Sequence, residues 1–161
     1  MIIQFQILGE VALAMLLGSI IGFNREMANK PAGLRTHMFV AGAAALMVSL
    51  GDIIISHSGI ETGLISSDPI RILEAILTGI SFLGAGTILR QQGKGQVEGL
   101  TTAASLLFAS GIGAAVALQQ FVLAIGVTVL AIIVLSGVHQ LERVFWKNQS
   151  RLDREEEADN G

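Results

Sequence analysis

From Gln4 to Ser56 the chain runs through two apolar stretches of about 20 residues each, broken by the segment Gly22 to His37, which holds Arg25, Lys30 and Arg35. A water-soluble core is not built this way, since helices apolar on every side need a nonaqueous surrounding. Two membrane-spanning helices joined by a basic connector on the cytoplasmic side fit the pattern. The bilayer is therefore the expected solvent and first partner of this chain.

Composition agrees. Hydrophobic residues make up 52% and charged residues 14% of the 161, and the mean hydropathy is +0.66; an ordinary soluble domain carries about 25% charge. The net charge of −3 comes wholly from the end of the chain, where Arg151 and Arg154 face Asp153, Glu155, Glu156, Glu157 and Asp159. The apolar part is thus neutral, and no nucleic-acid partner is expected. The expected organisation is a transmembrane domain at 1–147 and a disordered, acidic cytoplasmic tail at 148–161. With no cysteine, disulfides and thiolate chemistry are excluded.

Five spans are predicted, at Gln4 to Phe23, His37 to Ser56, Pro69 to Leu89, Leu100 to Leu118 and Phe121 to His139. The first lacks a basic leader and a small-residue cleavage site, so it reads as a retained helix. Asp68 reads as an N-cap and Pro69 as a first helical residue. Cytoplasmic loops collect lysine and arginine. Arg25, Lys30 and Arg35 lie in the first loop, Arg90 and Lys94 in the third, and Arg143, Lys147 and Arg151 after the last span, whereas the loop from Ser56 to Asp68 has no base. The fold class expected is an all-α integral membrane protein, five helices in a compact bundle, N-terminus outside and C-terminus cytoplasmic. Trp146 would sit at the interface.

A shift of 66 residues superposes Gly18 on Gly84, Gly33 on Gly99, Leu34 on Leu100 and Thr36 on Thr102. Either a parallel internal repeat or the chain's high Gly, Ala and Leu content accounts for it. Small residues recur at spacing four, as in Ala14, Gly18 and Gly22, and such stripes let helices approach closely. Gly18, Gly22, Gly84, Gly86, Gly99, Thr101 and Thr102 are the expected packing positions. Gly93-Lys94-Gly95 lacks the strand and the following Ser or Thr of a phosphate loop. His37, His57 and His139 have no partner at metal-ligand spacing, and no serine has an activating setting. No enzyme is expected, and no resident cofactor.

Arg25-Glu26, the segment from Lys30 to Met38, the run Gly79-Ile80-Ser81-Phe82-Leu83-Gly84-Ala85-Gly86-Thr87-Ile88-Leu89-Arg90 and the following Glu98-Gly99-Leu100-Thr101-Thr102 together resemble the MgtC/SapB family over about residues 9 to 118. The resemblance implies a multi-pass bacterial inner-membrane protein of a family associated with magnesium limitation, magnesium-transport operons and the survival of intracellular pathogens. It implies signature residues Arg25, Glu26, Lys30, Gly33, Leu34, Arg35, Thr36 and His37 in the first loop, and Gly84, Gly86, Gly99, Leu100, Thr101 and Thr102 around the third. Asn24 stands where the family more usually has an acid. Some members carry an ACT-like cytosolic domain after the last helix, where this chain has its acidic tail.

Two readings of the first loop are open. Its bases can simply hold the topology, or Arg25, Glu26 and Arg35 can pair and present a basic patch to a partner or anion. Glu10, Asp52 and Glu74 come from three predicted helices at nearly one depth. They either point separately to the outer interface, near Arg71, or converge as an outward-facing site for Mg2+ or another cation. The function expected is a regulatory or accessory protein linked to magnesium limitation and membrane energy or ion homeostasis, acting on another membrane complex or as a homo-oligomer. A cation transporter or channel subunit using the intramembrane carboxylates is the alternative.

Overall fold

The computed structural model describes residues 1–57, 69–89 and 99–137. Among these every regular element is helical: α1 Ile2–Met27, α2 Leu34–His57, α3 Pro69–Leu89, α4 Leu100–Ala117 and α5 Phe121–Gly137. Of these, α1 to α4 are long and apolar enough to cross a membrane, and α5 is a shorter apolar helix. Asp68, Arg90, Lys94, His139 and Trp146, and the tail expected at 148–161, lie outside the described residues.

The connector between the first two helices is shorter than the sequence indicates, because both helices run into it. Helix α1 continues through Arg25 and Glu26 and stops at Asn29, whose φ of 53° is left-handed. There the Lys30 amide donates to the Arg25 carbonyl and the Asn29 amide to that of Glu26, each at 3.0 Å. This is a Schellman closure, with asparagine in the position glycine usually takes. Helix α4 ends in the same way at Gln119, with φ 58° and bonds from Gln119 to Val116 and from Gln120 to Ala115. That tight turn delivers the chain directly into α5.

Helices α1, α2 and α4 form the closely packed centre. Ala14, Ile21, Ala41, Ala45, Ala109, Ile112 and Val116 are buried there. Alanines and glycines dominate because helices in lipid gain stability by backbone approach and dispersion contacts rather than by leaving water. Built onto Gly18, a Cβ would stand 2.6 Å from the His37 carbonyl oxygen, and on Gly22 it would stand 2.7 Å from the Leu34 Cα. Helix α3 is mostly exposed and rests against α4, where a Gly84 Cβ would meet the Ala103 Cβ at 3.1 Å.

The 66-residue shift is visible in these contacts. Gly18 meets residue 37 and Gly84 meets residue 103. In each case a glycine on the first helix faces the position four residues beyond the glycine, Gly33 or Gly99, that precedes the second helix. The carbonyls of those two glycines accept the first helical bonds, from His37 and Ala103. Gly86 differs from the packing role expected of it, since among the described residues nothing lies within 4 Å of its Cβ direction. Thr101 is likewise exposed, one position away from the buried Thr102.

Candidate functional site

Four buried polar side chains, Arg25, His37, Thr102 and Ser105, gather at the end where α1 turns into α2. Arg25 in the last turn of α1 is 5% exposed, although a cation in such a place would ordinarily reach for water. Its Nη2 donates to Thr102 Oγ1 on α4 at 3.1 Å, while its Nε is buried without a hydrogen-bond partner among the described residues. His37, in the first turn of α2, is fully buried. Its Nδ1 lies 2.9 Å from the Gly33 carbonyl and its Nε2 lies 3.0 Å from Ser105 Oγ, which in turn approaches the Thr102 carbonyl at 2.8 Å. One cluster thus ties α1 and α2 to α4.

Counting hydrogens fixes how this cluster works. The Gly33 carbonyl only accepts, so Nδ1 carries a proton and donates. If the ring is neutral, Nε2 accepts the Ser105 hydroxyl hydrogen. If the ring is protonated, Nε2 donates to Ser105, whose hydrogen then turns to Thr102. Both states leave every atom of the His37–Ser105 pair bonded.

The residues expected to pair across the loop do not do so. Arg25 turns inward to α4, whereas the Glu26 carboxylate accepts the Leu34 amide at 2.8 Å and so caps α2 from the end of α1. A Cβ on Gly33 would stand 2.7 Å from Glu26 Oε2, so a side chain there would push the capping carboxylate aside. Lys30, Arg35 and Thr36 are exposed on the outside of this fixed turn. Asn24 Nδ2 donates to Ser136 Oγ at 2.9 Å and joins α1 to α5.

The three carboxylates are not brought together. Glu10 is buried between α1 and α2, where Gln6 Nε2 donates to one oxygen at 3.1 Å and Ser49 Oγ to the other at 3.2 Å. Asp52 on α2 and Glu74 on α3 are each exposed. Among the described residues no three His, Asp or Glu side chains are grouped as metal ligands. Shared depth in three helices says nothing about shared direction, and here Glu10 faces a neighbouring helix while the other two face outward. Sequence reasoning missed Ser49 and Ser105 as polar partners. Each stands at spacing four from other small residues, Ser49 after Ala41 and Ala45 and Ser105 between Thr101 and Ala109, and so reads as a packing position only.

These features define the class: an all-α, multi-pass membrane protein whose central helices are locked by buried polar contacts at one end. The chain belongs to the MgtC family, which it matches over residues 11–144. It is 35% identical over 147 residues to Protein SrpB of Synechococcus elongatus, covering 88% of this chain and 79% of that one. It is 38% identical to Protein MgtC of Salmonella typhimurium, covering 80% and 50%. Protein YhiD of Escherichia coli K12, whose name associates it with magnesium transport, is 37% identical over 82% of this chain and 60% of its own. The chain therefore spans about half the length of several relatives. No solved structure matches it.

Proposed function

We propose that this protein is a regulatory or accessory component of the bacterial inner membrane, linked to magnesium limitation, that acts by contact with another membrane complex or with further copies of itself. The observation that carries this reading is the Arg25–Thr102 and His37–Ser105 lock. It converts a basic loop into a rigid surface on which Lys30, Arg35 and Thr36 are presented. A loop that only obeyed the charge rule for orientation would need no such anchoring. In this reading the chain crosses the membrane five times, with the first loop in the cytoplasm, and it has neither a catalytic step nor a resident cofactor.

The relative named for magnesium transport supports a second reading, a cation transporter or a subunit of one. Flux separates the two. Purified protein in liposomes should pass no Mg2+ above empty vesicles, and Glu10→Gln, Asp52→Asn and Glu74→Gln should leave that baseline unchanged. Mild-detergent purification from cells starved of magnesium should recover a membrane complex that Arg35→Glu with Lys30→Glu fails to recover. Carboxylate-dependent flux would establish the transport reading instead.

A further inference from the structure

Helices α2 and α3 do not close on one another along their length. They touch at Gly51, where the Ile72 side chain fills the place a Cβ would take. Around that contact lie two adjoining apolar hollows, of about 740 and 270 Å3, which share Met47, Ala75 and Ile76. The upper one reaches Ile55 on α2 and Arg71 on α3, and the lower one continues to Val40 and Leu83. From Arg71 to Leu83 is about 18 Å at the helical rise of about 1.5 Å per residue. One leaflet of hydrocarbon is about 15 Å deep, half of the usual core.

Among the described residues the groove has one charged wall residue, Arg71, and it is at the end. Arg71 lies in the first turn of α3, at the boundary of the apolar span Ile70–Ile88. It is exposed and makes no hydrogen bond or ion pair with the described residues, and the carboxylates of Asp52 and Glu74 do not line the groove. A cation at headgroup level above an open, apolar trough of leaflet length has the complementarity of an anionic phospholipid. The guanidinium takes the phosphate through two parallel N–H donors, and an acyl chain lies between α2 and α3. We propose that this groove is a specific site for one anionic glycerophospholipid, with its phosphate on Arg71 and one chain reaching Gly79.

The lower groove allows the chain and the headgroup to be tested apart. Among the described residues nothing lies within 4 Å of a Cβ on Gly79, which lines the lower hollow, so Gly79→Leu narrows the trough. Protein purified through delipidating detergent is analysed by native mass spectrometry after incubation with phosphatidylglycerol or phosphatidylethanolamine micelles. Wild type should retain one phosphatidylglycerol at least fivefold more than phosphatidylethanolamine. Arg71→Gln should abolish that preference, Arg71→Lys should keep most of it, and Gly79→Leu should lower retention of both lipids. Thermal unfolding in the same detergent identifies variants that are folded. Equal retention by wild type and folded Arg71→Gln, no preference between the lipids, or competition by free glycerol phosphate at lipid concentrations would overturn the site. So would a wild-type dimer that Gly79→Leu splits, since a second copy would then occupy the groove.

Discussion

Gly113 on α4 lies directly against the backbone of Ala41 on α2, so closely that a Cβ on it would occupy the position of the Ala41 carbonyl oxygen. Gly113→Ala must therefore move one helix from the other. It should destabilise the protein by about 1–3 kcal/mol, the usual cost of overpacking. Two positions earlier, a Cβ on Gly111 would meet nothing within 4 Å among the described residues. Gly111→Ala should be neutral or stabilising by up to about 1 kcal/mol, from helix propensity alone. Unfolding midpoints of the two variants in one detergent provide the check, and equal shifts would refute the close approach.

The His37–Ser105 bond predicts a particular non-additivity. Ser105→Ala leaves the buried His37 Nε2 unmatched, at a cost of about 1–3 kcal/mol, whereas after His37→Leu the Ser105 hydroxyl still reaches the Thr102 carbonyl at 2.8 Å. The double variant removes both partners and should lose less than the sum, by at least about 0.5 kcal/mol. Additive losses in a double-mutant cycle would mean that the two groups do not share a hydrogen bond.

Glu26 stabilises the start of α2 although it belongs to α1. Glu26→Ala exposes the Leu34 amide and should cost about 1 kcal/mol, as loss of a helix cap does, whereas Glu26→Gln keeps a carbonyl oxygen there and should cost less. Hydrogen exchange of the Leu34 amide is the direct readout. Unchanged protection in Glu26→Ala would remove the cap from the account.

At the other Schellman closure the left-handed residue is Gln119, with φ 58°. Glycine takes that conformation without the penalty of about 1 kcal/mol that a side chain incurs. Gln119→Gly should raise the unfolding midpoint, unlike Gln120→Gly beside it. A lower midpoint for Gln119→Gly would show that the turn is held by something other than its backbone.

The proposed orientation can be tested by single cysteines, since the chain has none of its own. With an impermeant thiol reagent on intact cells, Ser58→Cys should be labelled, and Asn29→Cys, Lys94→Cys and Asn148→Cys only after lysis. Labelling of any of those three in intact cells would reverse or break the five-span arrangement.

The helices were legible in the sequence because apolar stretches bounded by charge need no tertiary information to be recognised. Their ends were less so. Arg25 and Glu26 read as loop residues by their charge and Leu34 by its place among basic neighbours, yet they are helical, with Thr102 and the Glu26 carboxylate as partners from elsewhere in the chain. Gly18 and Gly22 were identifiable as contact positions by their spacing, whereas Gly86, on the same signature run as Gly84, faces open space. Spacing along one helix cannot say which side its neighbour occupies. The same limitation separated Glu10 from Asp52 and Glu74.

The lock between Arg25, His37 and α4 bears on how the protein is made. Thr102 and Ser105 are synthesised well after α1 and α2, and α3 comes between them. Until α4 enters the bilayer, the guanidinium lacks Thr102 and the imidazole Nε2 lacks Ser105, so water at the headgroups must take their place. Biogenesis then has a late committed step, in which arrival of the fourth helix draws two polar side chains out of water, and a nascent chain halted before Thr102 would be left as a loose substrate for membrane proteolysis.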